Sequence, residues 1–410
     1  MQSQRIFSLA AAAAFAMPAL AQTAQAPRVA RVTLDQAIAY AAANNPDLGA
    51  ANAAVDSARG DRRVVGALPA PTLASVPNNP FQYSATIPLD VSPQRFLRVN
   101  AAGLGVSASR ADAADVRRMM EVGVARAFYD VLLARDRRET AGQRRAALGR
   151  VLAADSVRVR EGDLAEHNLA RSSVEFARAD AAVARADVDL ENARLSLQTI
   201  IGAAASDSGV DAVGTLDYRR VEIPPDSVAI LAAHKRSDLV AASVRVEQSA
   251  AARRLAAASV IPIPLISYVR QPAASFDNGH HYALGVGLEL PAMGQVAGAK
   301  QRATAGLDAA RWHERAVSLE VERGVRSALA ELRIQRALVE KYQNGLLDRI
   351  AESVAAAQYA YDHGASSLLD VIDAIRAQQD ARDDFAQALH DYWVGIHALN
   401  GAAGSSIVTP

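Results

Sequence analysis

Two periods of apolar residues divide this chain. In its longest stretches apolar positions recur at alternating steps of four and three residues, the spacing of a coiled-coil seam. Val325, Leu329, Leu332, Val339, Leu346 and Ile350 fall on one such seam, with Arg336 and Gln343 as its polar positions. Phe385, Leu389, Tyr392, Ile396 and Leu399 continue the pattern further on. From Val296 to His363 there is no proline, and Asn344-Gly345 is the one dipeptide able to break the helix. Because the seam keeps its register on both sides of that dipeptide, a single helix on the order of 100 Å long is expected. A bundle of shorter helices fits this stretch less well.

The second period is two. Tyr282, Leu284, Val286, Leu288 and Leu290 alternate with Ala283, Gly285, Gly287 and Glu289, and Tyr83, Ala85, Ile87 and Leu89 alternate with Gln82, Ser84, Thr86 and Pro88. That is the signature of strands with one apolar face and one small or polar face. Leu68–Ser75 and Ile261–Val269 are the expected partners, giving two hairpins, at about 68–91 and 261–290, and hence four strands.

Proline marks where the two periods meet, since it is excluded from helix interiors. Prolines cluster at 69–93 and 262–291, and none lies between Pro93 and Pro224 or between Pro291 and the terminal Pro410. The halves also match in sequence. At one constant offset Asp47-Leu48 aligns with Asp238-Leu239, Ala50-Ala51 with Ala241-Ala242, Arg62-Arg63 with Arg253-Arg254, and Pro71 with Pro262. Gly162 and Gly364 each interrupt a long helical stretch, and Gly202 and Gly401 each close one. A duplication is the simplest account. The expected organisation is a first repeat over 22–202 with a helical hairpin turning near 162, a linker over 203–235, a second repeat over 236–401 turning near 364, and a tail over 402–410.

Residues 1–21 read as a signal peptide, with an apolar run from Ile6 to Leu20 and a small-x-small site at Ala19-Leu20-Ala21. Ala24-Gln25-Ala26 is a second cleavage position. The run is short for a membrane-spanning helix. Export changes how the strands are read: four strands cannot close a barrel, and lipid does not tolerate open sheet edges, so a membrane role requires several copies to pool strands. Three copies would supply twelve. The alternative is a small soluble sandwich on a helical stalk.

Acidic and basic residues balance at 44 each, which gives no electrostatic footprint for nucleic acid, and cysteine is absent. Thiolate metal sites, disulfides and a lipid-bearing cysteine are thereby excluded. His280-His281, with Asp277 nearby, make a poor chelate, because adjacent strand residues point to opposite faces. No phosphate loop, nucleophile elbow or H-E-x-x-H string occurs. The expectation is therefore no enzyme, no cofactor and no metal site.

Several local strings resemble the TolC-like outer-membrane efflux family. Val32-Thr33-Leu34-Asp35-Gln36-Ala37 with Asn45-Pro46-Asp47-Leu48 is similar to the family's first helix, and Arg236-Ser237-Asp238-Leu239 to the opening of its second repeat. Tyr361-Asp362-His363-Gly364 through Leu368-Leu369-Asp370-Val371-Ile372-Asp373-Ala374 resembles the tip of its second helical hairpin. The resemblance implies a mainly α homotrimer. Long antiparallel coiled-coil hairpins would form a periplasmic α-barrel, and each chain would give four strands to a twelve-stranded β-barrel in outer-membrane lipid. It also implies docking on a periplasmic adaptor protein and an inner-membrane pump. Short length, the missing lipidation cysteine and glycine-bearing tips look closest to the heavy-metal resistance subgroup. A periplasmic coiled-coil adaptor or scaffold without its own pore is the competing reading.

The same resemblance assigns a periplasmic gate and cation-selective ring to Asp370 and Asp373, which lie three residues apart and so share a helix face. The plainer alternative is a pair of solvated carboxylates near a helix start, where negative charge is favourable. A latch is expected from Tyr361 to Asn168, at the place of the family's aspartate, with Ser366 at the place of its arginine. That latch would lack charge and hold loosely. Gly162 and Gly364 are the expected hairpin tips and adaptor contacts.

Overall fold

In the computed structural model of the chain, residues 31–77, 82–90, 92–203, 210–270 and 282–408 are described. The signal peptide of 1–21, its later cleavage position near 26, and Asp277, His280 and His281 lie outside them.

The first half opens with β1 (Arg31–Val32), α1 (Leu34–Asn44) and α2 (Pro46–Gly66). Thr33 starts α1 with a capping box closed by Gln36, and Asn45 caps α2 through a hydrogen bond from Leu48 N, with Pro46 in the first turn. The hairpin β2 (Thr72–Val76) and β3 (Gln82–Pro88) follows, and then α3 (Pro93–Glu161) and α4 (Glu166–Ile201) form a long helical hairpin. A short β4 (Asp211–Ala212) pairs in parallel with β1. The second half repeats the plan: α5 (Asp226–Ala233), α6 (Ser237–Ala258), β5 (Ile263–Arg270), β6 (Tyr282–Glu289), α7 (Met293–Lys341), α8 (Leu347–Asp362) and α9 (Leu368–Ala403).

The uninterrupted helix expected from Val296 to His363 is broken. Between α7 and α8 the helix kinks within Tyr342–Leu346, where Asn344 at ψ 41° and Gly345 at φ 88° lie outside helical values. Asparagine and glycine are weak helix formers, and glycine reaches positive φ without a Cβ clash, so this dipeptide yields where its neighbours do not. Of the seam, Val325, Leu329, Leu332 and Val339 are buried, while Leu346 and Ile350 are only half-buried.

The four long strands make one antiparallel sheet in the order β2-β3-β5-β6. The strands run over slightly different residues from those read off the sequence, beginning beyond Pro71 and Pro262. Register places Tyr83 opposite Arg270, Ile87 opposite Ile266, Tyr268 opposite Leu284 and Ile266 opposite Val286. One face therefore carries Leu73, Tyr83, Ile87, Ile266, Tyr268, Leu284, Val286 and Leu288, all exposed. The other face carries Ser84, Thr86, Ser267, Gly285 and Gly287 together with Ile263, Leu265 and Val269. β2 and β6 are its two edges.

Packing divides the helical body into two cores. The larger gathers Phe128 and Val131 of α3, Leu197 and Ile201 of α4, Leu329 and Leu332 of α7, and Tyr392 and Ile396 of α9. The smaller lies toward the hairpin ends and holds Leu148 and Val151 of α3, Ala179 of α4, Tyr361 of α8, and Leu368, Val371, Ile372 and Ile375 of α9. From residue 340 to residue 360 no side chain is buried.

Candidate functional site

The two helical hairpins reverse at Gly162 and Gly364, with φ of 86° and 73°, values open to glycine at little cost. Gly162 ends α3 by donating its N–H to Val159 O, and Gly364 donates to Tyr361 O just past α8. A side chain at either glycine would meet nothing within 4 Å, so both tips stand clear of the body.

At this end Tyr361 is turned inward, at 6% exposure. Its hydroxyl donates to Asp155 Oδ1 at 2.6 Å, tying α8 to α3. Asp155 is fully buried, and its Oδ2 has no hydrogen-bond partner among the described residues. Burial first, and then the Asp155 carboxylate, push the Tyr361 phenol up to about 12, so it remains a donor at neutral pH. Arg158, one turn further along α3, lies over the Tyr361 ring with its guanidinium 5.0 Å from the ring centre. It also donates from Nη2 to Asp362 O at 2.9 Å, at the carbonyl end of α8.

This arrangement corrects the latch expected from the sequence. Tyr361 does not reach Asn168, which sits half-buried in the first turn of α4 with its backbone N–H on Ala165 O. Ser366 donates to Ala357 O at 3.3 Å and makes no charged link. The carboxylate that Tyr361 meets is Asp155, and the arginine beside its ring is Arg158, both from the end of α3. Matching strings around the tip missed them because their pairing with α8 joins residues more than 200 positions apart. The one local signal is the three-residue spacing of Asp155 and Arg158, which puts both on one helix face.

Asp370 and Asp373 stand in the first turns of α9. Ser367 caps that helix, and Asp370 Oδ2 accepts from both its backbone N–H (2.9 Å) and its hydroxyl (2.8 Å), completing a capping box. These bonds, the backbone one first, hold the Asp370 carboxyl below the usual range. Asp373 is exposed and lies 3.7 Å from Arg376 Nη1. Arg376 in turn donates to the buried Glu175 of α4 at 2.8 Å. Burial alone would raise Glu175, but Arg376 and then Arg178 outweigh it and hold the carboxyl low. Of the expected residues, the tip thus brings together Tyr361, Asp370, Asp373 and Gly364 on one hairpin, with Gly162 and Asn168 on the other. Among the described residues there is no cluster able to hold a metal ion.

The model of the family described as "Outer membrane efflux protein" matches residues 37–203 and 229–405. The chain belongs to this family. It is similar to the cobalt-zinc-cadmium resistance protein CzcC of Cupriavidus metallidurans, at 27% identity over 86% of this chain and 85% of that one. Among solved structures it is similar to CusC, with a TM-score of 0.77 at 19% identity over 94% of this chain and 96% of that one. It is also similar to the CmeC outer membrane channel of Campylobacter jejuni, with a TM-score of 0.79 at 16% identity over 91% and 86%. Those two likenesses show a shared fold, that of channels with an α-helical barrel and a β-barrel part. The resemblance to the TolC-like family, including its heavy-metal members, therefore holds, and the protein is an outer-membrane efflux channel with a large periplasmic helical portion. A pore-less periplasmic adaptor, the competing reading, is set aside by that membership.

Proposed function

We propose that three copies of this chain assemble one passive conduit of a tripartite efflux system, receiving substrate from an inner-membrane pump and a periplasmic adaptor and releasing it outside. The observation that carries this is the sheet. Among the described residues no helix is long and apolar enough to cross a membrane, yet four antiparallel strands expose tyrosine, leucine, isoleucine and valine on one face, while the other mixes serine, threonine and glycine with Leu265 and Val269. An even number of alternating strands lets β6 of one copy meet β2 of the next antiparallel, and three copies close a twelve-stranded barrel with no edges. Trp312, Leu319 and Ile334, exposed along α7, are positions that neighbouring copies would cover.

The cargo we assign is heavy-metal cations, on the likeness to a cobalt-zinc-cadmium resistance protein and on Asp370 and Asp373. Three copies of each would ring the periplasmic end with like charge, a device that favours cations in a narrow passage. Tyr361 and Asp155 would latch the closed tip, and the exposed turns at Gly162 and Gly364 would meet the adaptor. Deleting the gene from its host tests the cargo. Sensitivity to zinc, cobalt and cadmium should rise while sensitivity to organic drugs does not; the reverse pattern would overturn the assignment.

A further inference from the structure

The helix break at Asn344-Gly345 lies in a place with a distinct mechanical position. On one side α7 is fixed in the large core through Val325, Leu329, Leu332 and Val339. On the other, α8 carries no buried side chain until Tyr361, where the latch to α3 begins. A rigid anchor, a break and an arm that lies against α9 with only the partly buried Val354 and then Tyr361 set into the small core follow one another along the chain. The arm from Gly345 to Tyr361 is about 24 Å long at helical rise.

The break is not imposed by packing. A Cβ added at Gly345 would meet nothing within 4 Å, so no neighbouring atom demands glycine there. What sustains the kink is backbone conformation alone, with Asn344 and Gly345 outside helical φ/ψ. Just before it, the α7 end is pinned to α9: Tyr342 donates to Asp384 Oδ2 at 3.2 Å and its ring lies 5.9 Å from Phe385. Beyond it, Leu346 and Leu347 are only half-buried. A break in helical backbone between a segment fixed in the large core and one with no fully buried side chain before Tyr361 is where bending concentrates.

We propose that Asn344-Gly345 is the hinge of the periplasmic gate, about which α8 swings as a lever when its latch to Asp155 and Arg158 opens. This rests on the gate reading of the tip given above, and it adds where the motion is taken up. Tyr342 is then the fixed side of the joint, and the motion stops at the large core, so the tip can open while the helical body and the sheet keep their packing.

The test compares the intact trimer in detergent and in planar bilayers with a variant carrying both Asn344→Ala and Gly345→Ala. Alanine favours an unbroken helix, and at Gly345 it meets no neighbouring atom but is strained at φ 88°, so the substitution works against the kink and not against packing. In the unmodified trimer, backbone amides over 342–349 should exchange with deuterium roughly ten-fold or more faster than those over 325–339, and the straightened variant should lose most of that difference. Straightening should also lower voltage-driven opening several-fold, both in the otherwise unmodified channel and in one carrying Tyr361→Phe. Exchange over 342–349 as slow as in the body of α7 would overturn the hinge, as would unchanged opening in a straightened channel that remains trimeric. Should straightening prevent assembly, exchange in the unmodified trimer decides. A Tyr361→Phe channel that gates like the unmodified one would overturn the latch alone, because exchange and the effect of straightening are read without it.

Discussion

Tyr361 shows what one residue contributes here. Its ring fills the small core and its hydroxyl supplies the hydrogen bond to a buried carboxylate. Replacing it with phenylalanine keeps the packing but leaves Asp155 buried without its donor, at a cost of about 2 kcal/mol per copy. The expected outcome is a trimer that still assembles but opens more often in bilayer recordings. The string around Tyr361 could be read in the sequence, whereas its partner could not, because Asp155 enters only when α3 and α8 come side by side. His390 offers a second residue-scale test. Burial alone would lower its pKa, but hydrogen bonds to Asp130 (2.8 Å) and Asp391 (2.9 Å) outweigh that and hold it above the ordinary 6.5. A histidine raised in the folded state contributes its full stability below its unfolded pKa and loses it as pH climbs through the folded value. Melting of the trimer should therefore shift downward as pH rises from 6 to 9, and His390→Gln should flatten that dependence.

Among the elements, the first turns of α9 hold a helix cap and the proposed charge ring, which substitution can separate. Asp370 closes a capping box with Ser367, so Ser367→Ala should cost about 1 kcal/mol of helix stability, seen as a lower melting temperature, without changing cation preference. Asp373 takes no part in the cap, and Asp373→Asn should reduce cation over anion preference in bilayer reversal potentials while stability stays level. An unchanged reversal potential would remove Asp373 from the ring. Helix and strand periods were legible in the sequence over almost every element, since a seam of Val325, Leu329 and Leu332 and an alternation of Leu284, Val286 and Leu288 are local patterns. The break at Asn344-Gly345 was not, although its residues were visible. Hydrophobic register reports which residues are apolar, and a kink confined to Asn344 and Gly345 changes the backbone without changing that pattern.

At the level of the whole molecule, the sheet is incomplete as a single chain and the apolar band on its outer face is exposed. Leu284→Arg, on that face, should cost roughly 2 kcal/mol or more per copy in lipid and reduce the amount reaching the outer membrane, whereas Ser84→Arg, on the opposite face, should be tolerated far better. Envelope fractionation of the two variants checks this. The sequence held the strand count, the alternation and the duplication, and from these the need for several copies followed. Which side chains meet across the two halves could not be counted in advance, because contacts such as Arg376 with Glu175 depend on how four long helices lie against one another.

Three chains around one pore is the claim on which the rest depends. Native mass spectrometry of the detergent-solubilised outer-membrane protein, paired with single-channel recording of the same sample, tests it directly. A complex of three chains that opens to one conductance level is the predicted result. A monomer, or a trimer whose current falls into three independent equal steps, would contradict it.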